Sequence, residues 1–600
     1  KEAKRFPIQW KRPVEFGGSD LKVFSGGIQP SDIQQGKLGD CWFLGSLSII
    51  AAKPELVLNL MLTKEYNEQG IYEAQFYRGE SWTKVVIDDY LPCTPITGHM
   101  PWDLETQLRV NPFGPRGGLV YTRTNNNALW VCLLEKAYAK LNKSYQALEA
   151  GTLAESMRDL TSYPCYYMNT LYYDKEVIWE RLYEAHSNGL LIGCSSRHLT
   201  LEERFSGFSL DKFGIVSGHA YGLLGVKKVT HGGKILRLLR VRNPWGNFEW
   251  KGDYGNDSSL WTAELKALVD YKRESGTFWI EWRDFTEHFR EVTVCLYGQI
   301  NDWKKQSFTG EYDNNNQYGP QFEFTVKERT QLCVTLSKKD LRFSCGADVD
   351  NKHGLYLLKE VNDSVNYTCV DLVDGTGDWT RRELTLVLDL EPSIKPYILV
   401  CSARIGNLKF SSCSWTLEIS SKQDIQVKQR TVINRDHMLL SLVAFQRYHI
   451  KKEDVFCSML YALMHYAYYN DNRVIIAKYG VIPFLLEHIP KFNEKKTTQK
   501  IALSLIWNLA CGTDVRKELV SLGAQQLISS ITAKYYKNAE IREIAAVASR
   551  NLEIENGIAM DPLIEKCIIG DACTFTVTGD KTFLLQVWYD CYTCNLRSGY

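Results

Sequence analysis

The chain has 600 residues, of which 44% are apolar and 24% charged, the balance of a folded protein of several domains rather than of a disordered one. Its 71 basic and 70 acidic residues leave a net charge of +1, so no basic excess points to nucleic acid or to an acidic membrane surface. The longest apolar runs, such as Phe43–Ala52, are too short to span a bilayer.

The N-terminus, KEAKRFPIQWKR, has no apolar signal core and opens on Lys1. A cytoplasmic chain that starts inside a longer product is therefore expected. The 17 cysteines are mostly scattered singly in apolar contexts (Cys132, Cys194, Cys333, Cys401), as buried thiols of a reducing compartment are.

In chain order, residues 1 to about 300 mix helical and strand patterns. The apolar run Trp42–Ala52 predicts a helix that Cys41 opens, and Ala128–Asn142 carries apolar residues at helical spacing. Strands are expected at Lys84–Ile87, Ile235–Val241 and Phe278–Trp282. Residues 306–421 read as an all-β sandwich, with strands at Gln321–Val326, Gln331–Ser337, Gly354–Val361, Leu384–Leu390, Tyr397–Ala403 and Ser414–Ser420. Asp348, Asp350, Asp371, Asp374 and Asp378 fall in turn-like stretches between them.

Residues 430–560 turn helical and repeat. GVIPFLL at Gly480 aligns with GAQQLIS at Gly523, and IWNLA at Ile506 with SRNLE at Ser549, both 43 positions on. Stepping back by the same period reaches HMLLSLV at His437 and LMHYA at Leu463. Units of this length predict an α-solenoid, whose concave surface suits a protein partner. In the last stretch, Cys591 and Cys594 form a C-x-x-C pair, with Cys573 upstream. That spacing suits two ligands of one zinc, and further ligands would have to come from a longer protein.

The sharpest chemical signal is QQGKLGDCWFL, from Gln34. A thiol at a helix start gains from the helix dipole and from unpaired N–H groups, which favour the thiolate. Gln35 can offer its amide as an oxyanion donor beside the Cys41 N–H. His219, in SGHAYGLLGV, is the candidate base, and Asn243, in VRNPWGNFEW, the candidate orienter of its ring, with Trp245 shielding the bond between them.

Five motifs in this order carry a resemblance: QGKLGDCWFLGSLS, VVIDDYLP (Val85–Pro92), LLEKAYAKLNKSYQAL (Leu133–Leu148), SGHAYGLLGV and RVRNPWGNFEWKGDY. Together they resemble the calpain protease core over residues 8–300. The resemblance implies a papain-like α+β core of two subdomains, 1–175 and 176–303, around a cleft. It makes Cys41 the nucleophile, His219 the acid/base, Asn243 the orienting residue and Gln35 part of the oxyanion hole, with Trp245 as a gate in the cleft. The implied activity is cysteine endopeptidase, limited cleavage of protein substrates, regulated by calcium.

For a first calcium site the family pattern falls on Asp32 and Glu155, with main-chain oxygens near Ser25 and Gly27; these are hard ligands that suit calcium. For a second it falls on Glu249, with Asn256 or Asp257 nearby, while Ser275 and Thr277 stand where the family usually has acids and Pro30 where it has a pairing arginine. Activation through a single calcium, through none, or through neighbouring domains all remain open. Residues 306–421 are similar to the sandwich that follows the core in many calpains, a relative of lipid-binding sandwiches, so peripheral membrane contact is a possible role. The solenoid resembles armadillo repeats, and residues 565–600 resemble the start of a UBR box, which implies zinc-ligand roles for Cys573, Cys591 and Cys594. The competing reading is an adaptor or recognition subunit of a ubiquitin-linked assembly, with a vestigial or tightly gated protease core.

Overall fold

The computed structural model describes residues 8–16, 21–93, 119–123, 128–170, 175–199, 203, 206–312, 320–338, 352–362, 368–376, 382–404, 413–430, 456, 460, 463–464, 467, 470–492 and 496–554. Cys573, Cys591 and Cys594 lie outside these residues, as do Asp348, Asp350, Asp378 and the repeat segment at His437.

The first subdomain is built around the helix Cys41–Ile50, in which every residue from Trp42 onward is buried. It has no polar stripe, so it runs through the core instead of lying on it. The helices Trp130–Leu141 and Leu153–Thr161 pack about it in one continuous apolar cluster. Thr152 caps the second of these by accepting the Glu155 N–H. Two small sheets flank the helices: β1 (Gln9–Lys11) pairs with β4 (Leu91–Cys93), and β2 (Ile71–Arg78) with β3 (Ser81–Asp88). The predicted helix at Ala128–Asn142 is a little shorter than expected, and Asn142, read as a polar position, is buried where its amide caps Tyr138 O and accepts from Arg78.

The second subdomain is a six-stranded antiparallel sheet in the order β5-β10-β6-β7-β8-β9. These strands are β5 (Cys165–Asn169), β6 (Leu191–Ser196), β7 (Ala220–His231), β8 (Lys234–Arg242), β9 (Thr277–Glu281) and β10 (Phe289–Cys295). The chain thus joins this sheet at Cys165, ahead of the boundary expected at 175. The helix Lys175–Ser187 covers one face through Ile178, Trp179 and Leu182. The helix Cys41–Ile50 reaches the same sheet, where a side chain on Gly222 of β7 would press on Ile49 and approach the Gly45 carbonyl. This close approach of helix to strand sets Cys41, at the helix start, beside the start of β7.

The sandwich has, among the described residues, a four-stranded sheet, β11-β18-β13-β16, and a five-stranded one, β15-β14-β17-β12-β19. Its strands are β11 (Lys304–Tyr312), β12 (Gln321–Val326), β13 (Thr330–Lys338), β14 (Lys352–Asn362), β15 (Thr368–Thr376), β16 (Glu383–Leu390), β17 (Ser393–Arg404), β18 (Cys413–Ser421) and β19 (Lys428–Gln429). Asp371 and Asp374 stand on β15, paired with Lys359 and Leu357 of β14, and not in turns. An ionic seam ties the sandwich to the first subdomain. Asp159 on the helix Leu153–Thr161 accepts from Arg382 at 2.6 Å and 3.2 Å, from Tyr138 at 2.8 Å, and pairs with Arg78 at 3.0 Å. Its neighbour Arg158 pairs with Glu418 and Glu383 of the sandwich.

Beyond Asn470 the chain is helical, and its elements repeat. The helices Asn470–Lys478, Val481–His488 and Lys496–Ala510 recur as Thr513–Ser521, Ala524–Lys534 and Ala539–Glu553, each starting 43 positions later. Gly480 and Gly523 open the middle helices with left-handed φ of 65° and 84°, which only glycine adopts freely. Arg473 and Arg516 make the same bond, through Nε, to the carbonyls of Ala467 and Ala510.

Candidate active site

Cys41 is the first residue of its helix; the Phe43 and Leu44 N–H groups donate to Asp40 O at 2.9 Å and 3.1 Å, and those of Cys41 and Trp42 precede the helical ladder. Burial nonetheless dominates: it pushes the thiol up to about 11, against the Ala220, Trp42 and Cys41 N–H groups that favour the thiolate. Asp40, immediately before it, adds to the rise.

His219 sits at the entrance to β7. Its N–H donates to Ser196 Oγ at 2.9 Å and its carbonyl accepts from Ser196 N at 2.9 Å, so the ring is carried on a pinned main chain. Gly218 precedes it with φ +64°, and a Cβ there would lie 2.3 Å from the His198 ring. Only glycine makes this turn.

His219 Nε2 lies 2.9 Å from Asn243 Oδ1. The Asn243 amide has one consistent orientation. Its Oδ1 accepts the Trp245 N–H at 3.1 Å, and its Nδ2 donates to Phe248 O at 3.0 Å. Oδ1 is thus an acceptor, so Nε2 of His219 carries hydrogen and Nδ1 carries the lone pair. The ring is enclosed by Tyr221, edge-on at 4.9 Å, and by Trp245 at 5.1 Å between centroids. This burial drives the imidazole down to about 4, although the Asn243 bond opposes it. At neutral pH both the thiol and the ring are therefore uncharged, and among the described residues no hydrogen bond joins them.

Gln35 is buried beside this pair. Its Nε2 donates to Leu38 O at 2.7 Å, and its main-chain N–H donates to Pro244 O at 2.9 Å, next to Asn243. The structure thus sets Trp245 against the His219–Asn243 pair, Gln35 on Pro244 next to Asn243, and Cys41 beside Ala220, the residue after His219.

Residues 1–296 match the calpain family cysteine protease profile. The N-terminal half of the chain is similar to calpain-family cysteine protease domains. The chain is 33% identical over 432 residues to calpain-type cysteine protease DEK1 of Arabidopsis thaliana, covering 65% of this chain and 19% of that protein. It is 30% identical to Calpain-9 of Homo sapiens, over 56% of this chain and 48% of that one. With Calpain-14 of Homo sapiens it shares 36% identity, over 48% and 39% of the two chains. The chain thus spans from under a fifth to about half of the relatives it matches.

The core also holds residues that motif reading passed over. Arg242, fully buried beside Asn243, donates to Ser275 O, to Thr277 Oγ1 and, across to the first subdomain, to Ile33 O at 3.1 Å. With the Gln35–Pro244 bond it sews the two sides together below the cleft. Asp40 and Glu135 are a buried carboxyl pair beneath Cys41: Asp40 Oδ1 accepts from Gln35 Nε2 at 3.5 Å and Glu135 Oε2 accepts the Thr122 N–H at 3.3 Å. Burial raises both, Asp40 the more strongly. Glu135 was legible as the one acid inside the apolar run ALWVCLLEKAY.

The two sets of calcium candidates differ. Asp32 is buried, accepts the Gln29 N–H at 3.1 Å, and has its carboxyl pushed up by burial, so a cation beside it would relieve an existing cost. Gly26 and Gly27 have φ of 71° and 94°, and the space beside Gly27 is open. Ser25 lies next to these glycines in the chain, and their oxygens with Asp32 are hard donors of the kind calcium takes, whereas Glu155 stands on the helix Leu153–Thr161 beside Arg382. Glu249, Asn256 and Asp257 do not fit. Both Glu249 oxygens are taken, by the Gly276 N–H at 2.6 Å and by Asn256 Nδ2 at 2.8 Å, so Asn256 presents a donor and not a ligand oxygen. Asp257 is paired outward with Arg273 at 2.8 Å. Ser275 and Thr277 are likewise engaged, with Gly246 O and Arg242. Among the described residues no three His, Cys, Asp or Glu side chains converge as a metal site.

Proposed function

We propose that this chain is a calpain-type cysteine endopeptidase that cuts intracellular proteins at limited sites. The observation that carries the reading is the His219 Nε2–Asn243 Oδ1 bond, with the amide locked by Trp245 and Phe248. It leaves Nδ1 as the basic atom. In the working enzyme, Nδ1 takes the Cys41 proton, and the thiolate adds to the scissile carbonyl carbon. The oxyanion is held by the Cys41 N–H and the Gln35 amide, which must turn from Leu38 O to do so. Nδ1–H then protonates the leaving amine, and water releases the acyl-enzyme with Nδ1 as base. Trp245 keeps water off the His219–Asn243 bond and acts as gate to the cleft.

Ser25, Gly27, Asp32 and Glu155 would hold one calcium, whose charge would draw these segments together. Regulation by a single core calcium follows from this set and from the hydrogen-bonded state of Glu249, Asn256 and Asp257. The armadillo-like helices would supply a surface for a protein partner. The sandwich is a candidate for peripheral membrane contact, and zinc would belong to a longer protein with more ligands than Cys573, Cys591 and Cys594. A cytoplasmic location suits the free buried thiols. No helix among the described residues is long and apolar enough to cross a membrane.

The test is labelling by a peptidyl epoxide, with and without millimolar calcium, beside Cys41→Ala. Calcium-dependent labelling lost in the variant is the expected result. Equal labelling in both conditions would retain the protease and remove calcium from its control. The second reading is the adaptor with a gated core, and the absence of a hydrogen bond between two uncharged partners, Cys41 and His219, favours it. No labelling in either condition would select it.

A further inference from the structure

Cys165 and Cys295 are free thiols that stand directly opposite one another, on β5 and β10. Residues so placed in an antiparallel pair have Cα atoms about 4.5 or 5.5 Å apart. Both separations lie inside the range that a disulfide spans. The two sulfurs also share a neighbour: Cys165 Sγ is 3.6 Å and Cys295 Sγ 3.9 Å from Tyr163 O, so both lie on the same face of the sheet. Thr161 Oγ1 lies 3.4 Å from Cys295 Sγ.

From this geometry we propose that Cys165 and Cys295 form a redox-active dithiol that closes to a cross-strand disulfide on exposure to a peroxide. The chemistry of the pair supports the order of events. Burial opposes charge on Cys295, yet a hydrogen bond from the Cys165 thiol brings Cys295 below the ordinary thiol range, and Arg158 favours the same change. Cys165 is raised, first by burial and then by holding the hydrogen it gives to Cys295. Cys295 is the nucleophile and Cys165 the resolving thiol.

The Cys295 thiolate attacks one oxygen of hydrogen peroxide, the O–O bond breaks, and hydroxide leaves a sulfenic acid. The Cys165 sulfur then attacks the Cys295 sulfur, the S–O bond breaks, and the departing hydroxide takes the Cys165 proton as water. The two sulfurs are oxidised by two electrons in all, and the peroxide is reduced. β5 is an edge strand of the six-stranded sheet, so fraying of that edge admits a molecule as small as peroxide. The closed bond would staple the segment leaving the first subdomain to the last strand of the core.

The test is peptide mapping of the full chain after stoichiometric hydrogen peroxide, with remaining thiols blocked under denaturing conditions. A Cys165–Cys295 cross-linked peptide, lost on treatment with dithiothreitol, is the expected result. In Cys165→Ser the cross-link should vanish and Cys295 should instead react with a sulfenic-acid probe. Full alkylation of both cysteines at a peroxide dose that oxidises Cys41 would overturn the proposal. So would a cross-link from Cys295 to any other cysteine. The mapping on the unaltered chain decides the matter even if the variant does not fold.

Discussion

Asp40 and Glu135 are buried together beneath Cys41, and each keeps an oxygen, Oδ2 of Asp40 and Oε1 of Glu135, with no donor. Burial raises both carboxyls, and a proton held between them would let one act as the donor that the other lacks. Glu135→Leu should cost roughly 2–3 kcal/mol, because Asp40 is left buried and alone, whereas Glu135→Gln, which can still donate, should cost under about 1 kcal/mol. Urea denaturation of both variants measures this. Equal losses would mean that the pair is not hydrogen-bonded.

The same pair and His219 set opposite pH slopes. The carboxyls are raised on folding, so the native state holds protons that the unfolded chain releases, and stability falls as pH rises above the ordinary carboxylate range. His219 is depressed to about 4, so the unfolded chain binds its proton first, and stability falls as pH drops from about 6.5 through 4. At a shift of this size the histidine contributes about 3 kcal/mol above that window. Melting temperature against pH should therefore lose its fall below about 6.5 in His219→Gln and show a smaller decline between the ordinary carboxylate range and about 7 in Glu135→Gln.

Cys41 in the resting core should behave as a weak nucleophile. With its thiol near 11, the thiolate fraction grows about tenfold per pH unit below that value. Iodoacetamide labelling of Cys41 without calcium should rise accordingly between pH 7 and 9. A rate that is flat over this range would mean that an ion pair with His219 already exists.

Asn243→Asp keeps an acceptor for His219 Nε2 but adds a charge and loses the donor to Phe248 O. The imidazole should rise from about 4 toward its ordinary value, moving the acid limb of epoxide labelling upward by one or more pH units. Asn243→Ala, which removes the bond that opposes burial, should move that limb the other way, to lower pH, and slow labelling roughly tenfold or more.

Asp159→Asn removes the charge that holds Arg382 and Arg78. Breaking one partner of such a buried pair should cost about 3–5 kcal/mol. Differential scanning calorimetry should then show the sandwich melting apart from the first subdomain. A single transition at the original temperature would mean that the seam is not what joins them.

Much of this was legible in the amino-acid order, for physical reasons. Gln321–Val326 alternates apolar and polar residues and forms β12 over the predicted range; the 43-residue period marks helices that start in register. The His219–Asn243 pairing was legible because few residue types can hold an imidazole in one tautomer. β11 and β15 were missed, since KKQSFTGEY and TCVDLVDGT are too polar or too broken to announce strands. Arg242 was missed because a buried arginine looks, in a string, like any exposed one. The closure of Glu249 by the Gly276 N–H and Asn256 depends on partners up to 27 positions away, which no local pattern encodes.

The helical units finish one another. Arg516, in the first helix of the second unit, holds Ala510 O at the end of the first, and its other arm reaches Ile554 O at 2.6 Å. During synthesis Ala510 therefore emerges before the arginine that closes its carbonyl, whereas Ile554 emerges after it. Order along the messenger becomes order of completion: Ala510 O lacks this partner until Arg516 has left the ribosome. A pause in translation just after Ala510 would hold the array at its most vulnerable length.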